Sequence, residues 1–77
     1  MNAKEAKSIT DKIVNEQFVK IMPKIYEVIK TAALQGSNRI QYEITIPSET
    51  LGHKIERALR REGYGSSALG NRVEIFW

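Results

Sequence analysis

The 77-residue chain contains no cysteine and a single histidine, His53. Without thiols it can form neither disulfide bridges nor thiolate metal sites. One histidine among scattered carboxylates also offers no metal-ligand spacing, and it leaves little from which to build a nucleophile and its general base. We therefore expect no metal, no cofactor and no enzymatic activity.

Long apolar runs are missing as well. No segment approaches the length needed to cross a membrane, and residues 1–5 lack the apolar core of a signal peptide. These absences predict a cytoplasmic protein with no membrane contact.

The chain is also short, which limits how much core it can build. A chain of this length buries roughly 60–65% of its unfolded surface, so one core supplies only about 3–5 kcal/mol of net stability. Because disulfides and metals are excluded, assembly into a homo-oligomer is the natural compensation. We expect one domain, residues 1–77, that assembles with copies of itself.

Residues 13–35 are the most apolar part of the chain, and they follow a polar helical extension over residues 1–12. Their apolar side chains form two neighbouring stripes at helical spacing. A small sheet would cover only one stripe, so we expect the other to form a subunit interface, although an ordinary two-layer core is the alternative. The interface residues predicted in this way are Val14, Phe18, Ile21, Met22, Ile25, Tyr26 and Ile29.

Pro23 lies inside this apolar segment and removes one helical hydrogen bond. The segment could be one kinked helix or two helices divided at Pro23. The apolar phase continues unbroken past Pro23, which favours a kinked and nearly continuous helix. Gly36 follows the last periodic residues and is the expected left-handed cap.

Residues 39–77 carry the pattern of a β-α-β-β unit. Strict alternation predicts a strand from Arg39 to Ile46, stopped by Pro47. Ser48 can cap a helix that runs to Glu62 and ends at Gly63. The remaining predictions are a weak strand over 64–68, a turn over 69–71 and a closing strand over 72–77. The fold class is therefore α+β, with a long N-terminal helix, a three-stranded sheet and one further helix.

Four permanent cations and His53 lie on the solvent side of the predicted helix 48–62. Its opposite side is apolar, since Leu51, Ile55, Ala58 and Leu59 share one face. The net charge of +3 for the whole chain equals the net charge of residues 50–72 alone, so the positive field is local.

A local set of guanidinium groups suits a phosphorylated ligand, because their planar forks match phosphate oxygens. Lysine adds a point charge, and an aromatic ring can stack on a base. The ordinary alternative is a solvated helix face, partly compensated by Glu56 four residues before Arg60. The predicted ligand-binding residues are His53, Lys54, Arg57, Arg60, Arg61, Tyr64 and Arg72.

The ending of the chain resembles a layout found among small phage and prophage proteins. The resemblance spans about residues 25–77 and rests on L-R-R-E-G-Y (Leu59–Tyr64) and V-E-I-F-W (Val73–Trp77). Proteins of this layout mostly have no assigned activity, so no functional residue is transferred. The resemblance implies a protein of the host cell cytoplasm and a role against host defence, such as sequestering an immune signalling nucleotide.

The sequence therefore predicts a non-enzymatic homo-oligomer that binds an anionic, nucleotide-type ligand. Two alternatives stay open. The basic helix 48–62 could bind nucleic acid instead, in which case affinity should fall steeply with salt. The apolar helix could dock on a host defence protein, in which case it would be a contact surface rather than a core.

Overall fold

The structure, a computed structural model, describes residues 1–44 and 48–77. Its elements in chain order are α1 (Ala3–Leu34), β1 (Arg39–Glu43), α2 (Glu49–Arg61), β2 (Gly65–Leu69) and β3 (Arg72–Phe76). The predicted α+β class, with one long helix preceding a β-α-β-β unit, is confirmed.

Both ends of α1 are capped by local hydrogen bonds. The Asn2 side chain accepts a hydrogen bond from the Glu5 N–H at 2.9 Å, which satisfies one of the free donors of the first turn. At the other end Gly36 takes a φ of +83°, and the Ser37 N–H donates to the Ala32 carbonyl at 2.9 Å. This is a Schellman motif, and it confirms Gly36 as the left-handed cap.

The core lies between α1, α2 and one face of the sheet. Side chains from both predicted stripes of α1 are buried in it, because α2 covers one flank of α1 while the sheet covers another. The buried residues of α1 are Val14, Ile21, Met22, Ile25 and Ile29. Their burial is complete within one chain and needs no second subunit. Of the other two predicted interface residues, Phe18 is half-buried and Tyr26 is 38% exposed. Assembly through α1 stays a prediction.

The sheet has the strand order β1-β3-β2, and both pairings are antiparallel. Ile75 in the central strand lies between Ile40 and Ser66. This register places the following buried and half-buried strand residues on one face: Ile40, Tyr42, Ser66, Ala68, Val73 and Ile75. Both helices pack on that face, while the opposite face, which includes Gln41 and Leu69, is open to solvent.

The first strand is shorter than predicted. It ends at Glu43 rather than Ile46, although the alternating burial continues to Ile44, whose N–H donates to the Asn71 carbonyl at 2.6 Å. Ile46 and Pro47 lie outside the described residues.

The β2–β3 hairpin closes through a two-residue turn, Gly70–Asn71. The sequence predicts a turn over 69–71, but Leu69 is still paired with Arg72 and ends β2. Gly70 has a φ of +63°, which matches a type II′ turn with glycine first. On the open face, the Phe76 ring lies directly over Gly65, its partner in the ladder; a Cβ atom at residue 65 would come within 2.1 Å of the ring. The aromatic ring thus covers a strand position that has no side chain of its own.

The molecule measures 50 × 21 × 19 Å, because α1 extends past the sheet. Residues 3–13 of α1 form this extension, and all of them are exposed. Within residues 1–44 and 48–77, neither helix is both long and apolar enough to span a bilayer.

Replacing Pro23 by alanine should stabilise the protein. Pro23 is exposed and lies inside the continuous helix α1, where proline removes a backbone hydrogen bond and crowds the preceding turn. Proline costs about 3 kcal/mol relative to alanine in a helix interior, so we expect Pro23→Ala to raise the free energy of unfolding by about 1–3 kcal/mol. Urea unfolding monitored by circular dichroism measures this change. A loss of stability would mean instead that the two halves of α1 pack correctly only around a bend at Pro23.

Candidate functional site

Helix α2 is fixed at both ends and along its apolar face, so the side of the helix on which each charged residue lies is well defined. The Ser48 side chain accepts a hydrogen bond from the Leu51 N–H at 3.2 Å, confirming the predicted cap. Gly63, with a φ of +92°, ends the helix in a second Schellman motif. Between these ends Ile55 and Leu59 are fully buried.

The side of α2 that faces α1 presents three of the predicted cations to one groove. Lys54, Arg57 and Arg61 follow one another at helical spacings of three and four residues and therefore share a stripe. The groove between the helices has a volume of about 480 Å³. Its other polar or aromatic lining residues are Asp11, Asn15 and Phe18 from α1 and Thr50 from α2. Positive charge dominates, since one carboxylate faces three cations.

Lys54 is held in place by α1. Its ammonium group donates to the Asn15 Oδ1 atom and lies 4.9 Å from the centre of the Phe18 ring. A cation over an aromatic face is attracted by the ring quadrupole. These two contacts orient the lysine side chain across the groove, and neither partner carries a charge that would neutralise the ammonium group.

Arg57 and Arg61 are exposed and carry free guanidinium groups. Across the described residues, no carboxylate lies within 4.0 Å of either group, and neither donates a hydrogen bond to another side chain or to a carbonyl. Consecutive side chains at this spacing stand about 5–6 Å apart at their Cβ atoms, so two phosphate oxygens of one ligand can meet both forks.

Arg60 and His53 face the other side of α2, towards β2. Arg60 forms an ion pair with the Glu56 carboxylate and donates to the Ser66 carbonyl at 3.3 Å. The Nδ1 atom of His53 lies 4.0 Å from the same carboxylate. The Glu56 side chain is only 14% exposed, so its charge is compensated mainly by Arg60 rather than by water.

The Glu56–Arg60 pair also covers the free edge of the sheet at β2. Glu56 accepts a hydrogen bond from the Ala68 N–H at 3.3 Å, while Arg60 donates to the Ser66 carbonyl. N–H and C=O groups on the outer side of an edge strand otherwise have no partner in the sheet. The two side chains take the place of a neighbouring strand, so Arg60 has a structural role at this edge.

Tyr64 and Arg72 lie away from the groove. The Tyr64 ring packs edge-to-face on Trp77, with the ring centres 6.0 Å apart and the planes at 86°. Arg72 stands opposite Glu43 in the ladder, on the open face of the sheet. The seven predicted ligand-binding residues therefore occupy separate regions: three share the groove, two lie at the β2 edge, and Tyr64 and Arg72 lie elsewhere.

Sequence reasoning missed the contribution of α1 to this groove. Phe18 was assigned to a subunit interface, and Asn15 was not singled out. The available signal was Asn15 itself, a polar residue next to Val14 in the apolar part of the helix. Its contact with Lys54 joins residues far apart in the chain, so helical spacing within either segment does not reveal it.

A second cluster, formed by Tyr26, Glu62 and Tyr64, lies where α1 passes the end of α2. Burial raises the pKa of Tyr26 above its usual value of 10.0, with smaller contributions from Glu62 and then from Tyr64. Each of these effects disfavours the phenolate. The surroundings of Tyr26 therefore favour its neutral form.

In the part of the chain that the structure describes, no three His, Cys, Asp or Glu side chains gather closely enough to hold a metal ion. Comparisons of the chain with protein-family models, with curated proteins and with solved structures find no match.

Removing the Glu56 side chain should destabilise the fold. Glu56→Ala leaves the Ala68 N–H without its acceptor and the Arg60 guanidinium without its counter-ion, so we expect a loss of about 1–3 kcal/mol in the free energy of unfolding. Glu56→Gln is the matched control, because the amide oxygen can still accept from Ala68. Urea unfolding of both variants should show the smaller loss for glutamine. Equal stability of wild type and Glu56→Ala would contradict a structural role for the pair.

Stability should also fall in alkaline solution because of Tyr26. The unfolded phenol ionises near pH 10, whereas the folded one keeps its proton to higher pH, so the folded state binds more protons in this window. Stability contributed by the neutral phenol is present below pH 10 and is lost as the pH rises towards the folded pKa. Urea midpoints measured on both sides of this window should show a smaller alkaline loss in Tyr26→Phe than in wild type. Identical losses would exclude Tyr26 as a cause.

Proposed function

We propose that the protein binds a small phosphorylated, nucleotide-type anion in the groove between α1 and α2, without turning it over. The observation that carries the proposal is the convergence of Lys54, Arg57 and Arg61 on one groove. Charge-assisted hydrogen bonds from such groups are stronger than neutral ones, and two guanidinium forks side by side suit a diphosphate or longer chain.

The size of the groove supports a small ligand. Its volume of about 480 Å³ lies within the range of about 300–1,000 Å³ that is typical of small-molecule sites. Only three cations line the groove, since Arg60 pairs with Glu56 on the other side of α2, so the positive surface is short. A continuous nucleic acid favours a longer basic path along which many phosphates can be neutralised.

The position of Lys54 also supports ligand recognition by this groove. Asn15 and Phe18 fix its ammonium group before a ligand arrives, so less side-chain entropy is lost on binding. Stoichiometric binding of this kind would lower the free concentration of a signalling nucleotide, and we include that sequestration role in the proposal.

Reversing one groove charge tests the proposal. Arg57→Glu should weaken binding of ATP about 10- to 100-fold, because it removes a charge-assisted contact and adds a repulsion. Isothermal titration calorimetry of wild type and variant with AMP, ATP, a cyclic dinucleotide and a 20-nucleotide single strand measures the effect. Thermal unfolding of the variant should be nearly unchanged, since Arg57 is exposed.

Two further variants locate the site. Lys30→Glu makes a comparable charge change at an exposed position of α1 away from the groove and should bind like wild type after correction for net charge. Arg72→Glu makes the same change on the open face of the sheet and should behave in the same way. Equal losses in all three variants would indicate only a diffuse charge effect. No binding of any mononucleotide or dinucleotide by wild type would refute the proposal, and affinity that rises with oligonucleotide length would indicate nucleic acid.

A further inference from the structure

The two edges of the sheet differ in how they are protected. At β2 the outward Ser66 carbonyl accepts a hydrogen bond from Arg60, and the outward Ala68 N–H donates to Glu56. At β1 the direction of the backbone groups follows from two hydrogen bonds to the β3 side: the Ile44 N–H donates to Asn71, and the Asn38 carbonyl accepts from Trp77. Because backbone groups alternate along a strand, Arg39, Gln41 and Glu43 direct theirs away from the sheet.

The β1 edge is open at Gln41 and Glu43. The Ser37 hydroxyl lies beside the backbone of Arg39, donating to its carbonyl at 3.1 Å. Among the described residues, no comparable partner from outside the sheet reaches the backbone of Gln41 or Glu43, and both residues are exposed. An open edge of this kind is a template for pairing with another strand.

The charges along β1 are arranged so that two antiparallel copies of the strand attract each other. In an antiparallel pair of two β1 strands centred on Gln41, Arg39 of one copy stands opposite Glu43 of the other, and the reverse pair forms as well. Opposite charges facing each other across strands are stabilising. Within the chain Glu43 stands opposite Arg72 in the ladder, and the Arg39 Nε atom lies 3.3 Å from the Glu74 carboxylate. On pairing, Arg39 would lie on the open face between Glu74 of its own chain and Glu43 of the second copy.

A hollow beside the same edge gives room for the second strand's inward-facing side chains. It lies on the helix side of the sheet between Tyr42 and the outer flank of α1, and its volume is about 510 Å³. The residues of α1 and its cap that line it are Lys24, Glu27, Val28, Thr31, Ala32 and Gln35. Val28 is 39% exposed although it is apolar, and Tyr42 is half-buried. The small side chains at Thr31 and Ala32 let a neighbouring element approach α1 closely.

We propose that β1 is the assembly edge of this protein and pairs antiparallel with β1 of a second copy, centred on Gln41, to form a continuous six-stranded sheet. The surface differs from the apolar face of α1, and the proposal is independent of anion binding in the groove. On pairing, the hydrogen bonds between the Ser37 hydroxyl and the Arg39 backbone would break. The Arg39 N–H and carbonyl would then bond to the backbone of Glu43 in the second copy. The β2 edge stays closed by Glu56 and Arg60, so assembly ends at two copies.

Charge reversal at the edge tests this pairing. Sedimentation equilibrium should show a dimer for wild type, whereas Glu43→Arg and Arg39→Glu should each raise the dimer dissociation constant about 10- to 100-fold, because like charges then face each other twice in the symmetric pair. Circular dichroism should confirm that both variants stay folded. An equimolar mixture of the two variants should recover dimers, because each arginine again meets a glutamate.

Two more variants separate this edge from other surfaces. Gln41→Pro removes an outward N–H that no ladder bond uses, so it should abolish dimers and leave the monomer folded. Tyr26→Lys changes the exposed flank of α1 and should leave the dimer intact. A wild type that is monomeric at millimolar concentration would overturn the proposal. So would dimers that persist in both charge variants, or that are lost in Tyr26→Lys while the edge variants still associate.

Discussion

The contacts of the Glu56 carboxylate determine how the charged side chains of α2 are used. The carboxylate lies between α2 and β2, pairs with Arg60 and accepts the Ala68 amide. By taking Arg60 to the β2 side, it divides the basic helix into a structural half and a free half. The free half is the stripe that lines the groove with α1. The same contact covers the β2 edge of the sheet, whereas the β1 edge has no such cover at Gln41 and Glu43 among the described residues.

Much of the fold could be predicted from local patterns because local physics decides it. The alternation from Arg39 onwards, the Ser48 cap and the glycines at 36 and 63 each reflect a backbone requirement that few residue types satisfy. These features can be seen in the sequence because each involves residues within one helical turn or one strand. The end of β1 was misplaced, since alternation alone does not say where hydrogen bonding to β3 stops.

The candidate site was harder to predict because it depends on contacts between distant segments. Helical spacing placed His53 and the four cations on the solvent side of the predicted helix, with Lys54, Arg57 and Arg61 on one stripe. It could not say that α1 would lie on one side of α2 and β2 on the other. Glu56 was recognised as a partner of Arg60, but its contact with Ala68 joins residues twelve positions apart. The apolar excess of α1 predicted a subunit interface, and five of the seven residues predicted for it are buried within one chain.

The exposed extension of α1 has a consequence for the energetics of the helix. Residues 3–13 contribute no buried side chain, so their helical state depends on the Asn2 cap and on propagation from the packed turns that follow. Opening these first turns costs little apolar burial, whereas opening the turns around Ile25 disrupts the whole core. Amide hydrogens along α1 should therefore exchange on a gradient, fastest near the amino end and slowest beside the sheet. One continuous helix thus combines a locally fraying segment with the most stable part of the molecule.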